Sequence, residues 1–150
     1  MHPKEVQKRL EHFATLCRQK GVPCTVQRQA VLEAVLASDE HPTADQVIEA
    51  VKRRVPNVSR TTVYRILEML SAWGLIRRIH HPGSAGRFDG KTHRHHHLIC
   101  MRCGKVWDVE DPRLDHLRLP EGQVHDFEVQ DFSVHISGLC ADCRRASPPA

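Results

Sequence analysis

Four of the six cysteines fall into two pairs of equal spacing, Cys100-x-x-Cys103 and Cys140-x-x-Cys143. Two residues between cysteines let both sulfurs of a tight knuckle face one ion. Gly104 after the first pair and Gly138 before the second supply the backbone freedom such knuckles need. Two knuckles complete a tetrahedral four-sulfur site, the preferred geometry for structural zinc. The alternatives are four reduced cysteines packed as small hydrophobes, or disulfides. Matched pairs in a chain that reads as cytosolic favour metal over both. Cys17 and Cys24 have no partner motif and read as small core-filling thiols.

The chain also carries 12 histidines in 150 residues. The run His93-Arg-His-His-His97 directly precedes the first cysteine pair. On a strand, residues two apart share a face, so His95 and His97 can converge on one ion. Asp89 lies a few residues upstream, and Asp108 ends the next strand, where a hairpin can bring it alongside. His41 opens a helix and by spacing alone reads as a helix-start residue. His93 and His96 read as solvated members of the run. Imidazoles with carboxylates suit Fe(II), Mn(II) or Zn(II), and no thiolate is present to favour a softer ion.

Helices must position the first of these groups. Val6 to Lys20 has apolar residues at a helical period, ended by Gly21 and Pro23. Thr25 can cap a second helix to about Ser38. Thr43-Ala-Asp-Gln46 is a capping box opening a third. Ser59 can cap a fourth, Arg60 to about Ala72, stopped by Gly74. Leu75–Ile79 then reads as a strand, Pro82 to Gly86 as a turn, and Arg87–Asp89 as a return strand. Helices followed by such a hairpin make a winged-helix arrangement of the helix-turn-helix class.

Residues 90–94 lack apolar periodicity and read as a hinge between domains 1–89 and 95–150. The second domain reads as strands at His97–Cys100, Lys105–Asp108, Asp126–Val129 and Ser133–Ile136. A short helix is expected at Pro112 to Leu119 and a frayed tail from Arg144. The fold class is therefore α+β. A domain of roughly 55 residues has little core of its own, which is the physical need for a metal staple.

Bulk properties narrow the function classes. Apolar residues at 40% and charged residues at 27% argue against disorder. A net charge of +4 permits nucleic-acid binding without demanding it. No apolar run reaches the length of a membrane span, and the first residues do not read as a signal core, so a cytoplasmic protein with no membrane partner is expected.

Taken together, Thr25-x-Gln-Arg28, His41-Pro-Thr-Ala44, Thr61-Thr-Val-Tyr-Arg65, Arg87-Phe-Asp89, His95-x-His97-Leu-Ile-Cys100 and Gly138-x-Cys-x-x-Cys143 resemble the ferric uptake regulator family. The resemblance runs from about residue 20 to Cys143. It implies a winged-helix N-terminal domain, a C-terminal α/β dimerisation domain, and an obligate homodimer reading a palindromic operator in double-stranded DNA. It implies structural Zn(II) at Cys100, Cys103, Cys140 and Cys143. It also implies a regulatory Fe(II) or Mn(II) site across the hinge, made by His41, Asp89, His95, His97 and Asp108.

Asp at both Asp89 and Asp108 is similar to the peroxide-responsive repressors of the family, whereas its iron sensors usually carry Glu at the first position. In that subfamily bound Fe(II) reacts with peroxide and a ligand histidine is oxidised, which makes His41 and His95 the candidates here. Phe132 and Arg94 stand where many members have histidines of a further metal site, so no third site is expected.

The helix from Arg60 is the candidate recognition helix, with Ser59, Arg60, Thr61, Thr62, Tyr64 and Arg65 crowding its first turns. Lys20, Arg28, Arg77 and Arg78 are candidate phosphate contacts. The leading expectation is a metal-dependent, DNA-binding transcriptional repressor that senses peroxide, and not an enzyme. The alternatives are an iron- or zinc-sensing uptake regulator of the same family, a metalloenzyme using the His/Asp cluster, or a zinc store. Against the enzyme, no glutamate adjoins the cluster at metalloprotease spacing.

Overall fold

The computed structural model describes residues 1–80, 85–118 and 127–146. The chain divides into two compact units, Met1–Thr92 and His93–Ala150.

The first unit holds α1 (Pro3–Gln19), α2 (Val26–Leu36), α3 (Ala44–Lys52), α4 (Arg60–Ala72), β1 (Arg77–Ile79) and β2 (Arg87–Asp89). Each helix starts where a side chain can take an orphan backbone N–H. Thr25 accepts from Arg28, and Ser59 from Thr62. Thr43 and Gln46 form the reciprocal capping box. The first helix begins earlier than expected, because His2 caps it and Pro3 occupies a position that needs no N–H. Gly74, at φ +69, turns the chain out of α4 in the left-handed conformation that glycine tolerates.

Phe13, Leu32, Leu36, Ile48, Leu67, Leu70 and Ile76 are fully buried and form the centre of one core. Each such side chain contributes roughly 1.5–3 kcal/mol of burial energy. Leu75 and Ile76 belong to this core. The Leu75 N–H still bonds to the Leu70 carbonyl at 3.0 Å, so the strand starts only at Arg77. β1 and β2 pair antiparallel, with Arg77 opposite Asp89 and Ile79 opposite Arg87. Most of the turn expected at Pro82–Gly86 lies outside the described residues.

The second unit holds β3 (His96–Cys100), β4 (Val106–Val109), α5 (Pro112–Asp115), β5 (His135–Gly138) and α6 (Ala141–Arg145). Its sheet has the order β4-β3-β5, with β4 antiparallel and β5 parallel to the central strand.

Three expectations need correction here. Phe127–Val129 has an alternating pattern but forms no strand; it joins no ladder and its apolar side chains are exposed. Asp126 lies outside the described residues. The last strand begins two residues later than Ser133, at His135. The tail starting at Arg144 is in part helical, because α6 runs through it to Arg145.

Candidate metal centres and nucleic-acid face

The cysteine pairs meet because of strand pairing. β3 and β5 run parallel with Cys100 opposite Gly138, which brings the segment after each strand to the same end of the sheet. After Cys100 the chain folds into a knuckle closed by a Gly104 N–H to Cys100 carbonyl bond of 2.9 Å, with Gly104 at φ +67. The Cys140 N–H donates to Cys100 Sγ at 3.4 Å, and the Cys143 N–H to Cys140 Sγ at 3.4 Å. All four sulfurs lie within 4.8 Å of one another.

The separation of Cys103 Sγ from Cys140 Sγ is 3.8 Å. A tetrahedron built on Zn–S bonds of ~2.3 Å has an edge of about 3.8 Å, so this pair already stands at the spacing of zinc ligands. The electrostatics agree. Backbone N–H groups of Cys103 and Cys140 lower the Cys100 thiol to about 6. The hydrogen bond with Cys140 pushes the Cys143 thiol up to about 12. One thiolate is welcome in the cluster and four are not, unless a cation is held among them.

The histidine–carboxylate groups are built separately in each unit. In the first, His41 sits at φ 49, a left-handed conformation rare for a side chain with a Cβ. β2 holds that turn in place. The Arg87 guanidinium donates to the His41 carbonyl at 2.9 Å, and the Phe88 N–H to the Pro42 carbonyl at 2.9 Å. This zipper brings His41 Nε2 to 3.8 Å from Asp89 Oδ1, with both side chains buried. The Lys91 N–H donates to the same Oδ1 at 2.8 Å and fixes the carboxylate.

In the second unit the register places His97 opposite Asp108. Asp108 Oδ1 lies 3.3 Å from His95 Nε2 and 3.8 Å from His97 Nε2. The two rings meet edge to face at 4.7 Å, and both are buried. His95 Nδ1 bonds to the His93 carbonyl at 3.0 Å. That partner accepts only, so Nδ1 carries a proton and Nε2 is the nitrogen turned toward Asp108. The chemistry of this donor set, nitrogen with carboxylate oxygen, fits a divalent first-row metal.

His96 departs from expectation. It is fully buried rather than solvated. Its Nδ1 accepts the Val134 N–H at 3.1 Å, and its Nε2 lies 3.2 Å from Asp115 Oδ1. Phe132 stacks beside it, and the Arg94 guanidinium lies over the Phe132 ring at 4.9 Å. Strand alternation carried the missed signal: if His95 and His97 face one way, His96 faces the other and needs its own partners. His93 is exposed, as expected, and pairs with Glu110 at 3.0 Å.

On the first turns of α4, Ser59, Arg60, Thr61, Tyr64 and Arg65 are exposed and Thr62 half-buried, while Val63, Ile66, Leu67 and Leu70 face the core. Arg60 pairs with Asp45 of α3 at 2.6 Å, and that contact, with a smaller one from Tyr64, raises its already high pKa. Lys20 lies over the Trp73 ring at 5.2 Å, and Arg78 lies over Phe88 at 6.0 Å. Arg77 and Arg28 are half-buried, and the Arg28 guanidinium donates to the Pro23 carbonyl.

Residues 19–137 match the model of the ferric uptake regulator family. The chain is 39% identical to a peroxide-responsive repressor of Staphylococcus saprophyticus over 93% of this chain and 94% of that protein. Among solved structures, the Campylobacter jejuni peroxide stress regulator is similar at 27% identity and a TM-score of 0.65, covering 95% of this chain and 100% of that one. The Helicobacter pylori ferric uptake regulator shares the fold with a TM-score of 0.79 at 22% identity, covering 95% and 96%.

Proposed function

Since the chain belongs to the ferric uptake regulator family, we propose that it is a metal-dependent, DNA-binding transcriptional repressor that responds to peroxide. Cys100, Cys103, Cys140 and Cys143 hold structural Zn(II), which ties the segments after β3 and β5 together at one end of the small sheet. His41 and Asp89 from one unit, with His95, His97 and Asp108 from the other, serve as donors to regulatory Fe(II) or Mn(II). When bound, a redox-active ion there supplies peroxide reduction beside oxidisable imidazoles. The observation that carries the regulatory site is Asp108 within 3.3 Å of His95 Nε2 and 3.8 Å of His97 Nε2, with both rings buried and the carboxylate 18% exposed.

The work of the chain itself is positional. Residues 1–89 form the winged-helix DNA-binding domain, 90–94 the hinge, and 95–150 the dimerisation domain. Donors drawn from both domains make their mutual arrangement depend on occupancy. In a dimer that arrangement sets the spacing of two recognition helices, which must match operator half-sites. Occupancy then shifts the population between binding and non-binding forms in proportion to its differential affinity for them. α4 enters the major groove with Tyr64 and Arg65 toward bases, while Lys20, Arg28, Arg77 and Arg78 meet phosphates.

Leu98, Trp107 and Ile136 stand side by side across β3, β4 and β5, each at least 40% exposed. That apolar row is the surface a second copy covers. Arg94 lies over the Phe132 ring, Phe132 stacks beside His96, and His96 reaches Asp115. Among the described residues no helix is long and apolar enough to cross a membrane, and a DNA-binding role places the protein in the cytoplasm.

The test uses zinc-loaded protein and DNA selected from a random-sequence pool. Fe(II) should confer binding, and hydrogen peroxide should abolish it while adding one oxygen to His41 or His95 by mass spectrometry. Iron-dependent binding that survives peroxide, with both histidines unmodified, would favour an iron-sensing uptake regulator.

A further inference from the structure

Arg9 is a charged residue on the inward face of α1. Val6, Phe13 and Cys17 of that helix are buried. Arg9, three residues after Val6 and four before Phe13, shares their face and is half-buried. The helical period asks for an apolar side chain at such a position. A cation held there needs acceptors for its N–H groups. Here one terminal nitrogen donates to the Leu75 carbonyl at 2.6 Å and the other to the Gly90 carbonyl at 3.0 Å. Burial lowers the Arg9 pKa, opposed by the charges of Glu5 and then Asp89, and the side chain remains a cation.

Both carbonyls come from places where local pairing runs out. The β1–β2 ladder ends at Arg77 opposite Asp89, so Leu75 and Gly90 lie just past its open end. Leu75 closes the turn out of α4, with its N–H bonded to the Leu70 carbonyl. Gly90 follows Asp89 directly and begins the proposed hinge. One guanidinium therefore spans the end of the candidate recognition helix and the first residue of the hinge. Gly90 also abuts α2, where a Cβ on it would lie 2.9 Å from Leu36 Cδ2 and 3.3 Å from Leu36 Cα. The next N–H along the turn, that of Lys91, donates to Asp89 Oδ1 at 2.8 Å.

We propose that Arg9 is a positioning residue for the regulatory metal site: its clasp on Leu75 and Gly90 fixes the Asp89–Lys91 turn, and with it the Asp89 carboxylate, to the end of α4. The inference rests on the reading of Asp89 as a donor to the regulatory ion. Arg9 has no lone pair to offer an ion, so its effect passes through the backbone at Gly90. The clasp also gives the turn that carries Asp89 a path of two hydrogen bonds to α4 within one unit. The sign of the effect separates positioning from electrostatics. Removing a cation near Asp89 would by charge alone tighten a divalent ion. Losing the clasp loosens it, and outer partners of metal ligands change affinity by roughly 10- to 100-fold.

The experiment compares wild type, Arg9→Gln and Arg9→Lys as zinc-loaded full chains. Calorimetric titration with Mn(II) reads the site, and hydrogen–deuterium exchange without Mn(II) reads the clasp. Arg9→Gln should raise the Kd for Mn(II) roughly 10- to 100-fold. It should also speed exchange in residues 74–77 and 89–92 together, with the rest of the unit unchanged. Arg9→Lys keeps the charge but presents a compact ammonium in place of a planar fork, so it should weaken Mn(II) as well. This second variant carries the test if Arg9→Gln does not fold. Mn(II) affinity equal to or tighter than wild type in Arg9→Gln, or in Arg9→Lys where only that variant folds, overturns the proposal. So does faster exchange spread evenly over residues 1–92, which marks a general loss of stability. A wild-type chain that takes up no Mn(II) would instead defeat the regulatory-metal reading. The clasp then stands if exchange in the two segments rises together and falls if it does not.

Discussion

Replacing Asp108 by Asn tests the regulatory site at its most sensitive contact. In the wild-type chain Asp108 Oδ1 faces His95 Nε2 at 3.3 Å, and His95 Nδ1 is committed to the His93 carbonyl. The pair is 18% and 1% exposed, so water screens the contact little. Asn has the same shape and offers an N–H in place of one oxygen. In the metal-free protein it donates to His95 Nε2, adding a neutral hydrogen bond worth ~0.5–1.5 kcal/mol. In the metal-loaded protein one anionic donor is lost, which costs roughly 1.5–3 kcal/mol by analogy with hydrogen bonds to charged groups. Both terms oppose binding. Their sum of about 2–4.5 kcal/mol corresponds to a ~30- to 2000-fold rise in Kd for Mn(II). Calorimetric titration of the zinc-loaded protein reads the affinity, and scanning calorimetry reads the metal-free Tm, which should rise. An Mn(II) affinity within about threefold of wild type, or a lower metal-free Tm, would refute the reasoning.

Gly90→Ala should destabilise the N-terminal unit, because the new Cβ would lie 2.9 Å from Leu36 Cδ2 and 3.3 Å from Leu36 Cα. Overpacking of this kind costs ~1–3 kcal/mol, which appears as a Tm drop of several degrees in calorimetry. Asp45→Asn frees Arg60 from its exposed ion pair at 2.6 Å. Operator affinity in a gel shift should then rise by up to about fivefold, with a steeper salt dependence. Weaker binding would mean that Asp45 orients Arg60 for DNA. Asp111 is held down at about 2 by its hydrogen bonds from the Arg113 side chain and backbone. A depressed carboxyl stabilises the fold above its unfolded value near 4, and that contribution is lost as pH falls from there toward 2. Carbon-detected NMR titration of Asp111 should show the low midpoint, and Arg113→Ala should return it toward the ordinary carboxylate range.

What the sequence makes legible here is what is local. Thr43 with Gln46, and Ser59 with Thr62, announce their helices because the capping side chain and the N–H donor it accepts from lie within one turn. His95 and His97 are paired by the two-residue period of a strand, and Asp108 by the hairpin that returns beside them. The opposite facing of His96 follows from the same alternation, but its partners do not, because Asp115 and Val134 lie 19 and 38 residues downstream. Phe127–Val129 failed in the opposite way. Its alternation is that of a strand, but pattern cannot supply a neighbouring edge, and without one the backbone forms no ladder.

Cys140 shows why α6 escaped detection while the cysteine cluster did not. Helix starts are sought at Ser, Thr, Asp or Asn, yet here a sulfur accepts the Cys143 N–H. The knuckle spacing that identifies Cys140 and Cys143 as ligands is the spacing of cap to third helical residue. Helix start and cysteine knuckle are therefore one structure, and forming α6 already brings both sulfurs into the four-cysteine cluster. Serine at position 140 would keep the cap and forfeit the ligand, which makes Cys140→Ser the substitution that separates the two roles: zinc content should fall while α6 keeps its N-terminal hydrogen bond.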